Sequence, residues 1–241
     1  MRLLITLQYL GTRYAGWQTQ VNALGIQQIF ERALTELYGT ALRVEAAGRT
    51  DSGVHARGQR VHTDVPFAIE PRGFVLGSNT RLPADIRVLD VATVEDDFHC
   101  RFRAKAKTYV YQIWNAPVAD VFALETHAHV PQHLDHEVMN AAAQILAGTH
   151  DFSAFTVAEP EVSSTTRTIT NIAVERIGNR VTITVTADGF LRFMVRRIAG
   201  SLIELGRGRD VAIASSLEPE FVRARWAAPA RGLVLEKIDY A

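Results

Sequence analysis

Two spacings of apolar residues, a period of two and a period of 3.6, alternate along this chain and predict its elements. Leu3, Ile5, Leu7 and Tyr9 alternate with more polar neighbours, as in a half-buried strand. Ile26, Phe30, Ala33 and Leu37 recur at helical spacing over Gly25–Tyr38. Leu42–Ala47 and Gln59–Val65 read as strands flanking the loop GRTDSGVHARG. Pro71–Asn79 reads as a short helix and Ile86–Val94 as another strand, which completes a β-α-β-β-α-β order, the split βαβ plan. A second round follows. Lys107–Trp114 alternates as a strand, and Asp135–Leu146 is amphipathic, with Val138, Ala142 and Ile145 on one side. Ile169–Ile177 and Arg180–Ala187 predict a hairpin around Gly178-Asn179. Phe190–Leu205 predicts a helix ended by Gly206, and Leu233–Asp239 a closing strand. The expected class is α+β, built as two ferredoxin-like, split βαβ halves sharing a mainly antiparallel central sheet. The halves are residues 1–100 and 101–241. No internal repeat or low-complexity tract is visible.

Composition narrows this picture without redirecting it. At 241 residues, with 47% hydrophobic and 22% charged positions and a mean hydropathy of +0.01, the chain is neither disordered nor fibrous. A chain of this length buries about 70–75% of its unfolded surface. No run of about eighteen apolar residues predicts a membrane span. The opening MRLLITLQYLGTRY lacks the apolar core and cleavage site of a signal peptide, so a cytoplasmic protein is expected. The single cysteine, Cys100, excludes an internal disulfide and a multi-cysteine zinc site.

Charge changes the picture more. Lys+Arg and Asp+Glu both number 26, so the formal net charge is +0. The distribution is uneven, however. Residues 108–166 hold no Lys or Arg. Basic residues crowd into Arg43 to Lys107 and into the group Arg192, Arg196, Arg197, Arg207 and Arg209. Such segregation builds a local positive surface on a neutral protein, although solvated faces produce the same tally.

Four places could carry chemistry. Gly48 to His55 packs an Arg, a carboxylate, a hydroxyl and an imidazole between two strands, although an isolated Asp-Ser-Gly is ordinary turn chemistry. Ser52 stands on no nucleophile elbow, and Asp51, Ser52 and His55 are too close in sequence for a conventional triad. His127, His129, His133 and His136 offer four imidazoles in ten residues but no metal-binding frame, so a solvated surface is expected and no metal site. On the helix Phe190–Leu205, Phe190, Met194, Ile198, Leu202 and Leu205 make an apolar stripe. Arg196 falls opposite that stripe, near Arg192, on what reads as a solvated face. Tyr109 and Tyr111 share a strand face beside Lys105 and Lys107, which suits base stacking or an ordinary sheet core equally.

Together, GRTDSGVHA, YLGTRYAGWQ, KTYVYQIWN, GTHDFSAF and FLRFMVRRIAGSL resemble the tRNA pseudouridine synthase A family, in order and spacing, over nearly the whole chain. The Asp loop is the most specific piece. The resemblance implies a catalytic Asp at Asp51 and an active-site Tyr at Tyr109. It implies a basic partner of the Asp at Arg196, and at Arg49 an Arg that helps hold a flipped-out nucleotide. The N-terminal half would then carry the Asp loop, and the C-terminal half the Tyr and the Arg, around a catalytic cleft. It further implies a homodimer that isomerises uridine to pseudouridine at positions 38, 39 and 40 of the tRNA anticodon stem-loop, without a cofactor. A non-catalytic RNA-binding module would use the same basic segments and aromatics but has no need of a carboxylate within an anionic ligand's site. A metal hydrolase built on the histidine run is a third reading, which chelation would test.

Overall fold

The computed structural model describes residues 1–157, 162–218 and 223–240. Among them, ten strands forming a mixed sheet and four α-helices make an α+β protein, as the alternating periods lead one to expect. The chain divides into two compact units, residues 1–105 with 235–241, and residues 106–234.

In the first unit the elements run β1 (Arg2–Tyr9), α1 (Ile26–Tyr38), β2 (Glu45–Ala46), β3 (His55–Asp64), α2 (Pro71–Asn79) and β4 (Ile86–Val94). β1 is antiparallel to both β3 and β4. The strand order is β4-β1-β3, and β2 pairs with β3. Helix α1 buries Ile26, Phe30, Ala33, Leu34 and Tyr38, the apolar stripe of its sequence. It ends at Gly39, whose φ of 70° is the left-handed conformation that glycine adopts at least cost. In α2, Pro71 stands at the first turn, where its missing N–H costs nothing.

Two expectations are corrected here. The strand expected over Leu42–Ala47 contracts to Glu45–Ala46. Side chains take the backbone groups that a ladder would use: Thr63 Oγ1 donates to Arg43 O at 2.7 Å, and Glu31 Oε1 accepts from Val44 N at 3.1 Å. The strand expected from Gln59 begins at His55, because polar residues occupy its inward face and hide the alternation. His55 and Gln59 are both buried.

The second unit contains most of β5 (Ala104–Trp114), then β6 (Ala128–His129), α3 (His136–Gln144), β7 (Gly148–Asp151), β8 (Thr166–Ile177), β9 (Arg180–Ala187) and α4 (Met194–Gly206). The order is β5-β9-β8-β7, antiparallel throughout, and β6 lies parallel to β5. The last strand, β10 (Leu233–Tyr240), belongs from residue 235 onward to the first unit, where it neighbours β3. Helix α4 starts four residues later than its apolar stripe predicts. Phe193 immediately before it has φ 63°, a left-handed conformation that no helix continues through.

Candidate active site

Asp51 stands on the loop between β2 and β3 of the first unit, half-buried, with Thr50 buried on one side and Ser52 exposed on the other. The segment after β1 holds this loop from beneath. Trp17 N donates to Thr50 O at 3.0 Å, and Gly53 N donates to Tyr14 O at 3.3 Å. Val54 N closes the turn onto Asp51 O at 3.1 Å. Tyr9 Oη and Thr50 Oγ1 share a buried hydrogen bond of 2.9 Å, and Gln59 Nε2 donates to Gly48 O at 2.8 Å. Burial pushes the Tyr9 phenol up to about 12, against the hydrogen bonds from Thr50 and Gln59, so it stays a neutral strut at any physiological pH. The carboxylate is therefore presented by a backbone pinned on both sides, which is the preorganisation that a catalytic group needs.

The neighbours of Asp51 have structural duties. His55 is 2% exposed, and its Nδ1 accepts from Gly11 N at 2.9 Å, which fixes the tautomer with the proton on Nε2. Ser52 Oγ donates to Tyr14 O at 3.3 Å. The imidazole and hydroxyl that made this segment conspicuous thus brace the loop. Arg49 is exposed, one residue before buried Thr50.

Tyr109 and Arg196 both lie in the second unit. Tyr109, on β5 opposite Val185 of β9, is buried and meets Phe190 edge-on, ring centroids 5.1 Å apart at 87°. Tyr111, on the same face, is core: it is fully buried and donates to Pro229 O at 2.9 Å. Burial raises its phenol far above the usual range, while Arg196 and Arg231 act in the opposite sense.

Arg196 overturns the expectation of a solvated face. It is half-buried, because an extended segment covers the side of α4 opposite the apolar stripe. Arg196 Nε donates to Ala228 O at 2.9 Å, while Ala228 N donates back to Arg196 O at 2.8 Å. One residue along, Arg197 Nη1 donates to Ala224 O. The Arg196 guanidinium also lies over the Phe193 ring, 5.1 Å from its centroid, and Arg192 lies over the same ring at 5.1 Å. The left-handed turn at Phe193 thus sets one ring under two arginines. That turn is braced in its own right: Thr156 Oγ1 donates to Arg192 O at 3.0 Å, next to the buried Phe152 and Phe155 of GTHDFSAF. Periodicity alone could not reveal this cover, since residues 224 and 228 contribute backbone carbonyls rather than side chains.

The histidine run does not assemble. His127 Nδ1 pairs with Thr126 Oγ1 at 3.0 Å and His129 Nε2 with Ala116 O at 2.8 Å, and among the described residues no metal-binding group draws on the run.

The model of a family described as tRNA pseudouridine synthase matches residues 5–103 and 142–241. This chain belongs to that family. Curated relatives agree. A tRNA pseudouridine synthase A of Shouchella clausii is 43% identical over 99% of this chain and 93% of its own length. One of Myxococcus xanthus is 42% identical over 99% and 92%. One of Pelobacter propionicus is 39% identical over 98% of each chain. In this pseudouridine synthase family member, the Asp51 loop lies in the first matched segment and Arg196 in the second, while Tyr109 falls between them.

One glycine tests whether the loop's support matters. Gly16 has φ +91°, and a Cβ there would meet Thr50 O at 2.6 Å and the Asp51 carbonyl carbon at 3.0 Å. Gly39 has φ +70° with nothing within 4 Å. Alanine at either position carries a backbone cost of about 1–2 kcal/mol. Gly39→Ala is therefore expected to lower Tm and leave turnover unchanged. Gly16→Ala is expected to lower Tm further and to cut turnover at least tenfold, because the clash moves the Asp51 backbone. Equal activities of the two variants in a tRNA assay would contradict a pinned loop.

Proposed function

We propose that this enzyme converts uridine to pseudouridine at positions 38, 39 and 40 of the tRNA anticodon stem-loop, with Asp51 as its catalytic carboxylate. The observation that carries the reading is the Asp51 loop itself, rigidly held and set within a family match that spans most of the chain. The reaction breaks the N1–C1′ bond, turns the uracil and rejoins it through C5. The C5 hydrogen leaves as a proton and N1 gains one, so atoms balance and nothing is oxidised. No redox cofactor is required by that chemistry.

A base in a stem is unreachable until it flips out, at a cost of a few kcal/mol. In this proposal the exposed Arg49 holds the flipped-out state by filling the vacated stack or gripping a phosphate. The Tyr109 ring stacks on the uracil, worth about 1–3 kcal/mol. Asp51, ionised, supplies the anionic oxygen that attack on the substrate or stabilisation of a cationic sugar requires. Arg196 is its basic partner, favouring the carboxylate form. The N-terminal half thus provides the Asp and the C-terminal half the Tyr and the Arg. The proposal includes a cytoplasmic homodimer that lengthens the basic track for tRNA. It is supported by the exposed apolar Val118, Val121 and Phe122 in a stretch without basic residues, and light scattering would read it as twice 26.7 kDa.

Release of tritium from tRNA carrying [5-³H]uridine tests the reaction directly, since only chemistry at C5 frees that hydrogen. Wild-type enzyme is expected to release it without added metal or nucleotide. Tyr109→Phe keeps the ring, so tRNA affinity should hardly change while release slows. Unchanged release by Tyr109→Phe would remove the hydroxyl from the mechanism, and no release by wild type would refute the proposal.

A further inference from the structure

The register of the first unit brings together side chains far apart in sequence, at a place the tRNA chemistry does not use. β2 pairs with β3 so that Glu45 lies opposite His62, and directly opposed residues of an antiparallel pair point to the same face. The turn after β4 delivers His99 and Cys100 to that face. His62 and Cys100 are buried, and His62 Nδ1 lies 3.2 Å from Cys100 Sγ. Cys100 Sγ also donates to Glu45 O at 3.2 Å. The His99 ring packs on His62 with centroids 4.8 Å apart, and His99 Nε2 lies 3.0 Å from Glu45 Oε2. One ligand atom each from His62, His99 and Cys100 lies within 4.8 Å of the others.

We propose that His62, His99 and Cys100 form a structural zinc site, with the Glu45 carboxylate orienting His99. Zn–N distances of about 2.0–2.1 Å and Zn–S of about 2.3 Å set tetrahedral ligand atoms roughly 3.3–3.6 Å apart, so the cluster needs to close by little more than 1 Å. Two imidazoles and a thiolate are the donor set of a borderline-soft cation and suit neither magnesium nor calcium. A carboxylate behind a ligating histidine is the usual second element of such a site. His99, a quarter exposed, gives an entry path and leaves the fourth position to water. On binding, the Cys100 thiol releases its proton to solvent; the bonds that His62 Nδ1 makes to Cys100 and the bond that His99 Nδ1 accepts from Arg101 N at 3.2 Å give way to bonds from His62, His99 and Cys100 to the metal, while His99 Nε2 keeps its contact with Glu45.

The role is structural because of distance. His62 lies seven residues along β3 from His55 at the Asp51 loop, about 23 Å at 3.3 Å per residue. The ion would tie β2, β3 and the 95–103 turn together, where Tyr240 Oη of β10 already donates to Cys100 O at 2.9 Å.

The test uses the full chain, stripped with a chelator and titrated with Co²⁺ and then Zn²⁺. One equivalent of cobalt is expected to give the visible bands of a tetrahedral site and a near-ultraviolet thiolate charge-transfer band. One equivalent of zinc should erase both and raise Tm. Cys100→Ser should lose the charge-transfer band. His99→Gln, at a partly exposed position that leaves the fold in place should Cys100→Ser not fold, should weaken zinc binding more than about 100-fold. Glu45→Gln should weaken it about 10–100-fold, as removal of a carboxylate behind a ligand does. Absence of the charge-transfer band at stoichiometric cobalt, or wild-type zinc affinity in His99→Gln, would overturn the site.

Discussion

Asp51→Asn is expected to remove turnover and leave the fold in place. The amide has the shape of the carboxylate. The loop is held by main-chain bonds of Thr50, Asp51 and Gly53 and by side chains of Tyr9, Thr50, Ser52 and Gln59, none of which the substitution replaces. What disappears is the anionic oxygen that the proposal assigns to the chemistry, and loss of a principal catalytic group typically costs a factor on the order of 10⁴ or more. Binding should survive, because removing a negative charge does not repel phosphate. Single-turnover conversion of tRNA, with Tm and tRNA affinity measured alongside, checks all three. A variant that keeps more than a few per cent of the wild-type rate would take the chemistry away from Asp51.

Arg196→Ala is expected to be the second most damaging change. In the proposed partnership with Asp51, losing one side of the pair costs at most the about 3–5 kcal/mol typical of a fully buried pair, or roughly a hundred- to several-thousand-fold in rate when the pair acts in the transition state. Arg196→Lys should fail almost as badly. A guanidinium can hold the Ala228 carbonyl through Nε, lie over the Phe193 ring and still have its Nη groups to offer an anion, whereas a lysine has one head group for all of these. If Arg196→Ala instead weakens tRNA binding while the single-turnover rate stays normal, Arg196 is a phosphate contact and the proposed partnership with Asp51 is wrong.

Much of the fold was legible where one face of an element meets a continuous core. The apolar periods and local punctuation of α1, α2, β4 and β9 locate those elements almost residue for residue, with Pro71 opening α2 and Gly178-Asn179 turning β8 into β9. Legibility failed where side chains or distant backbone replace the regular partner. Glu31 and Thr63 satisfy the backbone that would have lengthened β2, and the positive φ of Phe193 delays α4. The Asp51 loop was conspicuous as a motif. Its support from Tyr9, Tyr14, Gly16 and Trp17 was not, since those contacts span more than thirty residues and all but that of Tyr9 run through main-chain atoms. Arg196 was placed opposite an apolar stripe correctly, but the stripe does not show that residues 224–228 roof the other side. The His62, His99 and Cys100 cluster was invisible for the same reason. A single cysteine excludes only thiolate-rich sites, and two histidines thirty-seven residues apart meet only because the turn after β4 folds back onto β3.

The central claim is that this chain rewrites uridine in the anticodon stem-loop. Incubating the purified enzyme with unmodified tRNA, without nucleotide, and mapping pseudouridine by nucleotide position tests it most directly, with Asp51→Asn as the matched control. The account predicts pseudouridine at positions 38, 39 and 40 wherever a uridine stands there, none elsewhere, and none with the variant. Tight tRNA binding without conversion, or pseudouridine formed outside that stem-loop, would contradict it.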